Sequence, residues 1–218
     1  MMVFHRKVVK HFMNKLFANK WFADLKADFI LNFITDSRWK FITSGLKNTL
    51  VITLFSVLIG VALGVIIVVV RASYDKTYSE MRNGISKKLL WLCNAVCKLY
   101  LTVIRGTPVV VQLMIMYYII FATSRNSLLV AIIAFGINSG AYVAEIVRSG
   151  IMSIDEGQFE AGRSLGFDYK RTMWYIIIPQ AFKNILPALA NEFIVLLKET
   201  SVAGYVTIRD LTMGGNII

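Results

Sequence analysis

Hydrophobic and polar positions along this chain fall into blocks. From Thr49 to Val70 there is no charged residue. At 1.5 Å per residue that block makes about 33 Å of helix, the thickness of a hydrocarbon core, and it predicts a first membrane span over 48–70. A polar, net basic segment follows over 71–88. Residues 89–122 are apolar again, but Lys98 and Arg105-Gly106-Thr107-Pro108 interrupt them. The uninterrupted run after Pro108 holds only about 14 residues, too few to cross a bilayer alone. A second span is therefore expected to begin upstream of Pro108 and bend there, because proline lacks a backbone donor and crowds the preceding turn. Ser124-Arg125-Asn126 reads as a tight turn into a third span over 127–147. A polar loop runs from Arg148 to about Asn184, and a fourth span covers 185–206.

Ahead of the spans, residues 1–47 mix Phe, Leu, Ile and Trp with Lys, a pattern suited to an amphipathic helix lying on a membrane surface. Trp39 and Lys40 fit an interfacial anchor. Within the first span, Gly60 and Gly64 form a small-xxx-small pair that allows another helix to approach closely.

Composition agrees with the blocks. The chain has 218 residues, 56% hydrophobic and 17% charged, too apolar for a soluble domain of this size. The first apolar block begins near residue 49 without a small-residue cleavage pattern, which argues against a signal peptide. The net charge of +11 would suggest nucleic acid on a soluble protein. Here the Lys and Arg residues flank the spans, where they anchor and orient the chain. Six of them lie in 71–100 and five in 148–183, against one in the turn at 123–127. Two spans separate the basic segments, so both face one side, and the positive-inside rule assigns that side to the cytoplasm. Nine Lys and Arg residues in 1–47 oppose this orientation. Cys93 and Cys97 share a helical face, but with His5 and His11 as the sole histidines no metal site is completed.

The polar loop carries the most information. Asp155 and Glu156 suit a helix N-terminus, and Gly166 suits its stop. A short helix followed by a second one, through Trp174-Tyr175 toward Pro179, would be well shaped to dock on a soluble partner. Glu160-Ala161-Gly162, then Gly166, then Ile176-Ile177-Ile178-Pro179 resembles the EAA loop of permease subunits in ATP-binding cassette importers. Gly162 stands where that signature has a second alanine, and Ile178 where it has leucine. Gly162 points to the polar amino-acid branch (histidine, glutamine, glutamate, arginine). Further pieces resemble that branch over about 38–218: Gly45-Leu46 with Thr49-Leu50, Arg105-Gly106-Thr107-Pro108 with Gln112, Ser139-Gly140-Ala141-Tyr142 with Glu145 and Arg148, and Asn191-Glu192-Phe193 with Lys198 and Thr200-Ser201.

The resemblance implies an all-α polytopic fold of the type I importer transmembrane domain over 48–218, with its coupling loop at 150–180. A fifth span, expected in the family, is absent before Ile218. It also implies a plasma or bacterial inner membrane location. Asp155, Glu156, Gly157, Glu160, Ala161, Gly162 and Gly166 would couple to a cytoplasmic ATPase dimer that binds ATP and magnesium. This chain has no phosphate-binding loop, and no cofactor of its own is expected. A second permease copy or homologue and an extracytoplasmic amino-acid-binding protein would complete the assembly, and alternating access would carry the substrate.

Ionisable residues inside spans are costly and mark pathways or pairs. Glu192 is the leading candidate to receive a substrate amino group. Lys198, Thr200, Ser201, Gln112 and Glu145 are candidates to line the same path, although Glu145 and Arg148 at i,i+3 also suit a local ion pair. A self-sufficient carrier or channel for small polar solutes is the competing class, but it leaves the docking loop unexplained. A membrane-embedded enzyme would need a convergent catalytic cluster that the sequence lacks.

Overall fold

The computed structural model describes residues 20–35, 37–79 and 81–217. Residues 1–19, with His5, His11 and the start of the expected amphipathic segment, lie outside the described residues. Helix α1 covers 20–29 and runs into a π-helical turn, Ile30–Thr35. Trp21, Phe22, Phe29 and Ile34 are exposed on it.

Helix α2 runs from Trp39 to Thr77. It is longer at both ends than the expected span over 48–70. Nothing in Arg71-Ala72-Ser73-Tyr74-Asp75-Lys76 breaks a helix, and Tyr74 stacks on Tyr78 at 4.5 Å, so the helix continues past its apolar block. The boundary drawn at 47/48 falls within α2, and the polar connection shrinks to the residues around 78–84. Helix α3, Ile85–Gly106, follows.

The chain breaks at Thr107-Pro108 rather than bending. Thr107 is extended (φ −120°, ψ 143°), as the residue before a proline tends to be. Helix α4, Val109–Ile115, restarts after Pro108 and widens into a π-helical turn, Met116–Ile120. Asn126 caps α5, Ser127–Met152, by accepting from the Leu129 amide at 3.1 Å, so the turn at 124–126 stands where expected.

Next come α6, Glu156–Ser164, and α7, Tyr169–Thr172. A π-helical turn, Met173–Ile177, leads directly into α8, Ile178–Glu199. The expected fourth span at 185–206 therefore begins earlier and ends earlier. Pro179 does not break the run, because the wider π turn just ahead of it relieves the clash and the missing donor. A 3-10 helix, Thr200–Val206, and α9, Leu211–Asn216, close the described chain.

Helices α2, α3 and α5 are long and apolar enough to cross a membrane. Helix α8 has the length, at 22 residues, but carries Lys183, Glu192, Lys198 and Glu199. Lipid is as apolar as a protein core, so burial alone does not hold such helices together; close packing and interhelical hydrogen bonds do. The buried seam of α2 follows that rule. Gly45, Thr49, Thr53, Ser56, Gly60 and Gly64 face inward, while Leu54, Phe55, Leu58 and Ile66 are exposed.

Helices α2 and α5 run in the same direction. Ser56 donates to the Ile132 carbonyl at 3.1 Å. A Cβ on Gly60 would lie 2.7 Å from Ser139 Oγ, and one on Gly64 would lie 2.7 Å from Val143 Cγ1. The close approach expected of this glycine pair is therefore realised against α5. Helix α8 runs antiparallel to α5. At the far end of α2, α9 docks: Asn48 donates to the Arg209 carbonyl at 2.9 Å, and the Leu211 amide donates to Thr49 Oγ at 3.1 Å.

Candidate functional site

The elbow between α5 and α8 is a built turn. Asp155 caps α6, its carboxylate accepting from the Gly157 amide at 2.6 Å. Any side chain on Gly157 would crowd that oxygen, at 2.7 Å from its Cβ. At the other end the Gly166 amide donates to the Arg163 carbonyl at 2.9 Å and the Phe167 amide to that of Gly162 at 3.0 Å. Gly166 has φ +80°. This is a Schellman stop, which glycine supplies without strain.

The inward face of α6 is fixed by three contacts. A Cβ on Gly162 would stand 2.6 Å from Thr172 Cγ2, so α6 lies directly on α7. Phe159 stacks on Tyr169 at 6.2 Å, and Lys76, at the end of α2, lies over the same Tyr169 ring at 2.9 Å from its centroid. Gln180 of α8 donates to Gln158 Oε1 at 3.0 Å. The opposite face, with Glu156, Glu160 and Ala161, is exposed.

The seven expected coupling residues thus divide. Asp155, Gly157, Gly162 and Gly166 shape the elbow, while Glu156, Glu160 and Ala161 are presented outward. The Lys76–Tyr169 contact also puts the end of α2 beside the elbow, so the two basic segments do share one end of the bundle.

Inside the bundle, Glu192 is buried, and Ser139 Oγ donates to its Oε1 at 2.9 Å. Ser139 is itself fully buried beside Gly60, so α2, α5 and α8 meet at this carboxylate. The neighbouring α5 residue, Asn138, donates to Gln112 Oε1 at 3.0 Å. Gln112 Nε2 reaches the Ile104 carbonyl at 2.7 Å, the Thr107 carbonyl at 3.0 Å and Thr107 Oγ at 2.7 Å. Its amide closes the α3–α4 break, supplying the donor that Pro108 cannot. Gln112 and Glu192 are therefore brought to adjacent residues of α5.

Glu145 lies further toward the elbow. It bonds Arg105 at 3.2 Å and Arg148 at 3.6 Å, so the i,i+3 pair exists and Arg105 extends it. Thr200 is buried, its hydroxyl bonded to the Leu197 carbonyl at 2.8 Å. Lys198 and Ser201 are exposed, beyond Glu192 at the end of α8 remote from the elbow. The sequence did not single out Asn138 or Thr172, nor assign Ser139 to Glu192 or Arg105 to Glu145. Ser139 and Arg105 did stand in quoted motifs, but their partners lie 53 and 40 residues away.

A bundle that joins an exposed, capped helix to a buried polar seam is built as a transport subunit that takes its drive from outside the chain. Residues 88–218 match the family of the binding-protein-dependent transport system inner membrane component. The L-cystine transport system permease protein TcyB of Bacillus subtilis is 34% identical over 180 residues, covering 82% of this chain and 70% of its own. The arginine transport system permease protein ArtQ of Bacillus subtilis is 37% identical over 174 residues, covering 78% and 73%. Among solved structures, an amino acid ABC transporter crystallised with histidines superposes with TM-score 0.71 at 40% identity, over 85% of this chain and 81% of that one. The MetNI methionine ABC transporter, at 20% identity and TM-score 0.62 over 79% and 77%, shares the fold.

The chain belongs to the binding-protein-dependent transport system inner membrane component family. It is a multi-pass inner membrane protein and the permease subunit of an ABC importer. Permeases of this family are not catalytic and bind no cofactor; the ATPase is a separate subunit, and the family implies a binding protein as well.

Proposed function

We propose that this permease carries polar amino acids into the cell, with α6 seated in a cleft of a cytoplasmic ATPase dimer. The relatives named above for cystine and arginine support the substrate class. The observation that carries the mechanism is the continuous helical run from Tyr169 to Glu199. It begins against the docking helix through the Gly162–Thr172 contact and holds the buried carboxylate Glu192. Closure of the ATPase dimer on ATP and magnesium displaces α6. The run passes that displacement to the bundle, which rocks between inward-open and outward-open states. Glu192 receives the substrate's ammonium group in exchange for its bond to Ser139, while Gln112, Glu145, Lys198, Thr200 and Ser201 line the remaining path. A second permease copy or homologue forms the other wall, and an extracytoplasmic binding protein delivers the amino acid.

The test is uptake of a panel of labelled amino acids into proteoliposomes holding the permease–ATPase complex, with ATP inside or outside. ATP-dependent uptake of polar amino acids is expected, with Glu192→Gln assembling normally and transporting at least tenfold more slowly. Wild-type transport by that variant removes Glu192 from the path. Uptake that proceeds without the ATPase sinks the whole reading in favour of a self-sufficient carrier.

A further inference from the structure

The cavities on either side of Glu145 carry more positive charge than the protein balances. A cavity of ≈ 490 Å³ between α2, α3 and α5 is lined by Arg71, Lys98, Thr102, Arg105 and Glu145. A second, of ≈ 330 Å³, shares Arg71 and Glu145 and adds Asp75 and Arg148. Four cations therefore face two carboxylates. Both oxygens of Glu145 are already engaged, by Arg105 and Arg148. Among the described residues, neither Arg71 nor Lys98 has a carboxylate within ion-pair distance, and the buried Arg71 Nε has no hydrogen-bond partner.

Four cations gathered in a notch between helices, one with a buried unpartnered nitrogen, form a field that attracts an anion. Its position says which kind. Arg71 directly follows the charge-free block of α2 that ends at Val70, and Arg148 lies just past the charge-free stretch 127–144 of α5, so both stand where apolar block gives way to charge. That is headgroup level, on the elbow side. Lys98 and Thr102 are exposed and alternate along α3 with the exposed apolar residues Leu99 and Val103. A molecule with a phosphate at the notch and acyl chains along α3 matches both surfaces. A basic pocket between transmembrane helices is suited to such headgroups.

We propose that the Arg71–Lys98–Arg105 notch binds the phosphate of an anionic phospholipid of the inner leaflet. The lipid completes the charge balance around Glu145 and so holds α2, α3 and α5 together at their elbow end. The site depends on the membrane placement of these helices and not on which solute is transported.

The experiment is native mass spectrometry of the delipidated permease–ATPase complex, titrated in separate arms with phosphatidylglycerol, phosphatidylcholine, inorganic phosphate and glutamine. Phosphatidylglycerol is expected to bind in preference to phosphatidylcholine. Lys98→Gln should weaken it about fivefold and Arg71→Gln/Lys98→Gln about 25-fold, from the contribution of one basic residue near a headgroup. Lys98→Arg should retain it, and Lys183→Gln, an exposed cation outside the notch, should leave it unchanged. Lys98 is exposed, so its variants do not put folding at risk. Equal retention of the two lipids, or equal losses for Lys98→Gln and Lys183→Gln, overturns the proposal. Displacement of phosphatidylglycerol by inorganic phosphate or by glutamine also overturns it, in favour of a free-anion or substrate pocket. Failure of amino-acid uptake in proteoliposomes would leave this binding readout intact.

Discussion

Gly162→Ala sets two known effects against each other at the most constrained point of the elbow. Alanine favours the helix over glycine by up to about 1 kcal/mol. Its Cβ would, however, sit 2.6 Å from Thr172 Cγ2 and 2.7 Å from Thr172 Oγ, far inside the optimal separation of about 3.5–4.0 Å. Thr172 is buried, and its hydroxyl is bonded to the Asp168 carbonyl at 3.0 Å, so it cannot rotate away freely. Overpacking of this kind costs about 1–3 kcal/mol. With Thr172 pinned, the upper part of that range applies, and the balance is a loss of about 1–2 kcal/mol in the seating of α6 on α7, roughly a five- to thirtyfold shift in its population. The assay is ATP-dependent uptake per ATP hydrolysed by the reconstituted complex. Gly162→Ala should lower uptake several-fold with the bundle still assembled. The double variant with Thr172→Ala moves the methyl across the contact and should recover much of the loss. Wild-type coupling in Gly162→Ala refutes the argument, as does a double variant no better than the single one.

Other substitutions test separate contacts. Gly166→Ala forces a side chain into φ +80° and should destabilise the elbow by about 1–2 kcal/mol, while Gly166→Asn should lose less; thermal unfolding of the purified complex reads both. Gly60→Leu would drive α2 from α5 at Ser139 and should prevent folded permease from accumulating in membranes, as seen by gel filtration of detergent extracts. Gln112→Leu leaves the buried Asn138 amide without its acceptor and the half-buried Ile104 carbonyl without its donor. At about 1–3 kcal/mol for each buried polar group left unmet, it should lower the melting temperature clearly more than Leu89→Ala on the exposed face of α3.

The sequence made the elbow legible because its signals are local. Asp155, Gly157 and Gly166 act on backbone groups within a few residues, so cap and stop could be read directly. The glycine pair at 60 and 64 was legible as a close-packing device, but not its partner, since a seam says nothing about which helix fills it. Helix ends were read poorly. The edge of an apolar block marks the edge of lipid and not the end of a helix, so α2 outran its span. At Pro108 and Pro179 the same residue type gave opposite outcomes. Thr107 is extended and the chain breaks, whereas a π turn ahead of Pro179 absorbs the missing bond. The polar seam was legible in its residues and illegible in its pairing, because Ser139–Glu192 and Asn138–Gln112 join separate helices.

Helix α2 is 39 residues long, about 58 Å at 1.5 Å per residue, nearly twice the hydrocarbon thickness. One end is gripped by α9 near Gly45, and the other carries Lys76 against Tyr169. It is a lever whose two handles lie on opposite sides of the bilayer. A tilt of 10° about its midpoint would swing each end by about 5 Å, in opposite senses. On the proposed function, motion begun at the elbow would reach the far surface through α2 as a rigid rod as well as through the Tyr169–Glu199 run, with no relay of side chains in between.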